Sequence, residues 1–217
     1  MSSHARVVLF QGDSITDVGR DRLNPSANDA GALGSGYAFL AACRLLAASP
    51  HESTVVYNRG ISGDRVPDLQ TRWQRDCVDL RPELVSILIG INDLWHKMDG
   101  NSTGAPASYE AEYNALLSQT RSALPQARLI VCEPFVLRTG VVNGGWFPEF
   151  DERRAIAEHL AAQHGASWVP FHQVFERAVA QGTDPAYWAH DGVHPTLAGH
   201  QLMADTWCEI ALGARGA

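Results

Sequence analysis

Four short stretches hold residue types that could work together chemically. Gly12-Asp13-Ser14 places a hydroxyl just after an apolar run. A serine hydroxyl is a weak nucleophile until a base takes its proton and nearby donors receive the charge on the attacked oxygen. Asp191-Gly192-Val193-His194-Pro195 offers such a base. An aspartate three residues ahead of a histidine in a turn can accept from imidazole Nδ1, fixing the tautomer and leaving Nε2 free to act. Asn58-Arg59-Gly60-Ile61-Ser62-Gly63-Asp64 is a glycine-rich turn that permits close backbone approach. Gly90-Ile91-Asn92-Asp93 supplies an amide that can donate to an oxyanion. In order, the four give a nucleophile, an N–H donor, an amide donor and an Asp/His pair, which is the set that acyl transfer needs.

Each stretch also has a plain structural reading. Asp13 or Ser14 suits a helix N-cap, and Asn92 suits an Asx turn or a cap. Ser62 narrowly misses a G-x-S-x-G nucleophile elbow, because Asp64 stands where glycine is required. His190 and His194 are four apart, but a metal pair at that spacing needs a helix, and Gly192 and Pro195 oppose one. No metal site is expected. Asp13, Asp17, Arg20 and Asp93 read as polar scaffold that could hold the loops. Trp95, Trp146 and Trp188 fall in candidate site loops, where flat aromatic faces suit sugar rings; Trp168 and Trp207 read as core, and Trp73 fits either role.

These stretches must be positioned by regular elements. Apolar runs at 7–10, 54–57, 84–89, 128–132 and 167–170 read as strands buried on both faces. Helical patterns cover 36–48, 108–124, 149–164 and about 196–212. Strands alternating with helices predict a parallel sheet in an α/β sandwich. The longer loops, 12–35, 58–68, 90–107, 134–148 and 182–195, carry all four stretches. In open α/β sheets, ligands bind at the carboxyl ends of the strands.

Length and composition bound the rest. A chain of 217 residues reads as one domain spanning 1–217. It is 45% hydrophobic and 19% charged, as a folded protein should be. A net charge of −7 argues against nucleic acid as a partner. No apolar run reaches the length of a membrane-spanning helix, and the N-terminal MSSHARVVLF lacks the long apolar core of a secretion signal. A cytoplasmic location, away from any membrane, is therefore expected. Cys43, Cys77, Cys132 and Cys208 are dispersed, with no zinc spacing and no expected disulfide framework. Asn101-Ser102-Thr103 matches a glycosylation sequon by chance on this reading.

The four stretches, in this order, resemble those of the SGNH hydrolases, or GDSL esterases. Gly12-Asp13-Ser14 resembles the nucleophile block. Gly63 matches the glycine whose N–H serves the oxyanion hole, Asn92 the oxyanion asparagine, and Asp191 with His194 the D-x-x-H block. The resemblance spans roughly 7–205. A narrower likeness, to bacterial carbohydrate acetylesterases including intracellular acetylxylan esterases, rests on several blocks. They are Gly12-Asp13-Ser14-Ile15-Thr16-Asp17 with Gly19-Arg20, Gly34 with Gly36-Tyr37, Asn58 with Gly60-Ile61-Ser62-Gly63, Arg72-Trp73, and Ile89-Gly90-Ile91-Asn92-Asp93 with Trp95.

The resemblance implies a three-layer, flavodoxin-like α/β/α sandwich with a five-stranded parallel sheet and no cofactor. It implies that Ser14, Asp191 and His194 are catalytic, with an oxyanion hole of Ser14, Gly63 and Asn92. The activity implied is removal of acetyl groups from small carbohydrate esters through an acetyl-serine, by a homo-oligomer. Other SGNH activities (arylesterase, lysophospholipase, acyl-thioesterase) and a non-catalytic binding module remain alternatives. Trp95, Trp146, Trp188 and His190 are the expected substrate contacts. His190 departs from the family pattern, which has a tryptophan just before the catalytic aspartate.

Overall fold

Strand β1 (Arg6–Gly12) runs through the middle of the structure with its last five residues buried. Its side chains alternate between two apolar layers. Val8 and Phe10 enter one cluster, and Leu9 enters the other. That is the expected result for a strand covered on both faces. The computed structural model describes residues 6–101 and 104–213, so Ser102 and Thr103 of the sequon lie outside the described residues.

Four further strands complete the sheet: β2 (Thr54–Asn58), β3 (Leu84–Leu88), β4 (Arg128–Cys132) and β5 (Ser167–Val169). All pairings are parallel, and the order is β2-β1-β3-β4-β5. This is the flavodoxin-like doubly wound order, whose direction switches between β1 and β3. The carboxyl ends of those two strands therefore border a crevice.

The helices in chain order are α1 (Ser14–Asp17), α2 (Ala30–Leu33), α3 (Tyr37–Ala48), α4 (Val66–Asp76), α5 (Ile91–Met98), α6 (Pro106–Ala123), α7 (Phe147–Gln163), α8 (Phe171–Ala180), α9 (Pro185–Trp188) and α10 (Leu197–Leu212). Helices α3, α8 and α10 cover one face with Tyr37, Ala41, Phe175, Met203 and Trp207. Helices α4 and α6, with the later part of α7, cover the other with Leu69, Trp73, Tyr113, Leu117 and Leu160. The result is the expected three-layer sandwich.

The five strands and the four longest helices stand where the apolar patterns placed them. Helices α4, α5 and α8 were not expected. Helix α4 carries only the narrow stripe Val66, Leu69 and Trp73 among polar residues. Helix α5 occupies the start of the expected 90–107 loop, with Ile91 and Leu94 buried. Helix α8 begins immediately after Pro170, in a stretch to which the sequence patterns assign no element. Trp73 and Trp207 are both fully buried; their indole N–H groups donate to Thr120 Oγ1 and Ser86 Oγ, each at 2.9 Å.

Candidate active site

The first turn after β1 is shaped by close packing. A Cβ on Gly12 would collide with the Leu88 carbonyl of β3 and the Thr16 hydroxyl, so glycine is required there. Asp13 then caps α1, its Oδ1 accepting from the Ile15 N–H at 3.0 Å. The cap reading of Asp13 is thus realised, and it leaves Ser14 as the first residue of the helix. An N–H at that position has no intrahelical acceptor and is available to a ligand.

His194 meets Ser14 from the other end of the chain. Its Nε2 lies 2.9 Å from Ser14 Oγ, and its Nδ1 lies 2.6 Å from Asp191 Oδ2. The other carboxylate oxygen of Asp191 accepts the N–H groups of Val193 and His194 at 2.9 and 2.7 Å. Burial works to raise the Asp191 pKa. The hydrogen bonds from His194 and Val193 outweigh it and hold the carboxyl below its ordinary value. The segment before α7 steadies this turn: the Val141 N–H donates to the Asp191 carbonyl at 3.1 Å, and the Leu137 N–H to that of Gly192 at 2.8 Å.

The chain after β2 keeps running beside β1. Arg59 N–H donates to the Phe10 carbonyl at 2.8 Å, and Ile61 N–H to the Gly12 carbonyl at 3.0 Å. Asp17 secures the next residue, one oxygen accepting both the N–H and the Oγ–H of Ser62 at 2.9 Å each. Ser62 thus spends its hydroxyl on a carboxylate rather than on a base. Gly63 follows at φ +89°, exposed, with open space where a side chain would stand. Only glycine adopts this conformation readily.

Asn92, in the first turn of α5, reaches the same segment. Its Nδ2 donates to the Asp64 carbonyl at 3.1 Å. An amide nitrogen carries two protons, so one is left for another acceptor. Next to it, Asp93 Oδ1 accepts the Val66 N–H at 3.4 Å, joining the starts of α4 and α5. Burial pushes the Asp93 carboxyl up to about 6 and that of Asp13 up to about 7.

Two residues that carry no individual role in the sequence hold these parts together. Arg72 of α4 donates to Asp64 Oδ2 at 2.8 Å and to Gln11 Oε1 at 2.9 Å, and its remaining nitrogen lies 3.4 Å from the Gly12 carbonyl. Asp64 thereby links Arg72 through its carboxylate to Asn92 through its carbonyl. Both residues stand in recognisable blocks, but a link through a main-chain oxygen leaves no trace in residue types.

The aromatic residues divide. The Trp95 ring lies 5.9 Å from the His194 ring and 5.7 Å from Trp146, which is itself almost wholly buried. Trp188 packs at 6.2 Å against Phe175 in the α8/α10 layer, and Tyr187 edges it at 5.0 Å. His190 is exposed and immediately precedes Asp191.

The arrangement provides a hydroxyl on a base, a base oriented by a carboxylate, and donors on two neighbouring loops. Such a site can add a serine to a carbonyl and stabilise the oxyanion that results. The model of the GDSL-like lipase/acylhydrolase family matches residues 10–202. An acetylxylan esterase of Geobacillus stearothermophilus is 36% identical over 199 residues, which cover 91% of this chain and 90% of that protein. A solved structure of that enzyme has a TM-score of 0.84, 33% identity and coverage of 96% and 95% of the two chains. Its catalytic mutants replace a serine in one structure and a histidine in another. A structure from Parabacteroides merdae, described as a GDSL-like lipase, has a TM-score of 0.92, 43% identity and 94% coverage of each chain.

Proposed function

This chain belongs to the GDSL-like lipase/acylhydrolase family and is a carboxylic ester hydrolase, and from that premise we propose that it removes acetyl groups from carbohydrates through an acetyl-serine. The observation that carries the proposal is the continuous chain from Asp191 to His194 to Ser14, at 2.6 and 2.9 Å.

In this mechanism His194 Nε2 takes the Ser14 proton as Oγ bonds to the ester carbonyl carbon. Asp191 orients the ring and stabilises the imidazolium. The oxyanion is received by the N–H groups of Ser14 and Gly63 and by the spare amide proton of Asn92. On collapse the sugar oxygen leaves with the proton held by His194. Water then attacks the acetyl-serine, with His194 taking and returning a proton once more, and acetate leaves as Ser14 is restored.

Trp95, beside His194, offers an aromatic face to a sugar ring, with Trp146 packed behind it. His190 is the polar neighbour on the Asp191 side. Similarity to acetylxylan esterases supports acetylated xylo-oligosaccharides as the substrate class. Among the described residues no helix is long and apolar enough to cross a membrane. The same reading includes a homo-oligomer, for which light scattering is the check.

The test compares acetate release from acetylated xylo-oligosaccharides with hydrolysis of p-nitrophenyl esters of increasing chain length. Rapid acetate release and a preference for acetyl are expected. A chain-length profile peaking at long acyl groups would replace the carbohydrate reading with a lipid or thioester one.

A further inference from the structure

Arginines gather at one cavity of this acidic chain. Arg20, Arg22, Arg59 and Arg75 line a space of about 410 Å³ beside the β2–α4 loop, with Asp76 in the same wall. Those are four of the chain's 17 lysines and arginines. The volume falls within the range of small-molecule pockets.

The four are not equivalent. Arg22 is paired with Asp17, and Arg75 with Asp76. Arg20 and Arg59 make no ion pair among the described residues. Main-chain oxygens hold them instead. Arg20 Nε donates to the Gly60 carbonyl at 2.7 Å, and its two terminal nitrogens have no acceptor among the described residues. Arg59 donates to the carbonyls of Pro25 at 3.1 Å and Asn58 at 3.3 Å, and its guanidinium stacks 5.0 Å over the Tyr57 ring. Arg20 is only 7% exposed. Burial, together with the charges of Arg59, Arg22 and Arg72, presses its pKa below the ordinary arginine value, against the pull of Asp17. An arginine stays protonated even so. Two fixed cations without an ion-pair partner among the described residues therefore face one cavity.

We propose that this cavity is a binding site for a small oxyanion, a phosphate or a carboxylate, gripped by Arg20 and Arg59 with Arg22 and Arg75 at its rim. A planar guanidinium offers parallel donors that match both groups, and stacked or buried arginine is the usual residue for such recognition. A carbonyl-held guanidinium neither loses a carboxylate partner nor reorganises when the anion arrives. The inference does not depend on the esterase reading. It does adjoin that site, because Arg22 and Ser62 share the Asp17 carboxylate.

The experiment is calorimetric titration of the full chain with inorganic phosphate and, separately, with glucuronate, at one ionic strength set by chloride. Saturable binding of one anion per chain is expected. Arg59→Gln should weaken it about ten- to a hundredfold, the loss of one or two hydrogen bonds to a charged group. Arg59→Lys, which keeps the charge but not the fork, should fall between. Arg44→Gln, which removes a cation paired with Asp205 elsewhere on the surface, should bind as the parent does. Ser14→Ala should also bind normally, which keeps this outcome separate from the fate of the esterase proposal. Tighter binding of phosphate would identify a free phosphate or phosphorylated molecule as the source; tighter binding of glucuronate would identify an acidic sugar. No saturable binding of either anion, or equal binding by the parent and a folded Arg59→Gln, overturns the proposal.

Discussion

The side-chain nitrogen of Asn92 donates to the main-chain carbonyl of Asp64 at 3.1 Å, fastening the start of α5 to the loop after β2. One amide proton is spent on that bond, so the direction of the other is set by the loop that carries Gly63. In the proposed mechanism two of the three oxyanion donors, Gly63 and Asn92, are thus fixed relative to each other before substrate arrives. Asn92→Ala should lower kcat about 10²–10³-fold, the usual cost of losing one such donor. It should cost about 1 kcal/mol of stability for the lost hydrogen bond. Steady-state kinetics beside a thermal melt checks both; a full kcat in the folded variant would remove Asn92 from the site.

Arg72 acts one step further back. Its guanidinium reaches Asp64, Gln11 and the end of β1 at once. A lysine can satisfy only part of that geometry. Arg72→Lys should therefore reduce kcat about tenfold while leaving KM within about twofold, since the donors are misaligned rather than lost. Arg72→Met should be worse and should also lower Tm, because it leaves the largely buried Asp64 carboxylate without its ion-pair partner, whereas Asp76 keeps Arg75. Equal kcat for the parent and both variants would show that the network carries only stability.

In the proposed mechanism Asp191, whose Oδ2 lies 2.6 Å from Nδ1, holds the proton of His194 on that nitrogen. Asp191→Asn keeps the size of the side chain but permits the opposite tautomer, with the nitrogen facing Ser14 protonated. By the precedent of serine proteases, kcat should fall about 10⁴-fold. A loss below tenfold, read in the same assay, would mean that another group orients the ring.

The buried carboxyl of Asp13 makes stability depend on pH. Burial raises its pKa most, the Ile15 hydrogen bond works against this, and the charges of Asp93 and Asp64 add to the rise, giving about 7 against an ordinary 3.8. Between those values the folded chain holds a proton that the unfolded chain has lost. The contribution of Asp13 to stability therefore falls as pH climbs through this window. Asp13→Asn keeps an oxygen to cap α1 and removes the titration. Its Tm relative to the parent should rise from about pH 4 to about pH 7 and level off above; a constant difference across that range would contradict the assignment.

Much of this was legible in the residues because it follows from simple rules. Runs such as 84–88 and 129–132, short and apolar at nearly every position, suit strands covered on both faces, and their alternation with helices leads to a parallel sheet. The pairing of Ser14 with His194 across 180 residues needed the block order as well as that topology. Helix α4 is hard to read because only three of its five buried residues are apolar, Arg72 and Asp76 being charged, and its outer face is strongly polar. Helix α5 is short, and Ile91 and Leu94 are its only buried apolar residues, too few to mark a helical period. Trp146 and Trp188 both sat in plausible loops, yet one lies behind Trp95 and the other packs on Phe175. Local sequence does not encode which way a loop tryptophan turns.

The central claim is that Ser14 carries the acetyl group between the two halves of the reaction. Acid quenching during turnover of an acetylated xylo-oligosaccharide, followed by peptide mass spectrometry, tests it directly. The account predicts one acetyl group on the peptide holding Ser14, absent in Ser14→Ala, whose acetate release falls to background. Acetate release by Ser14→Ala at the parental rate, or an acetyl group accumulating on a different residue, would contradict it.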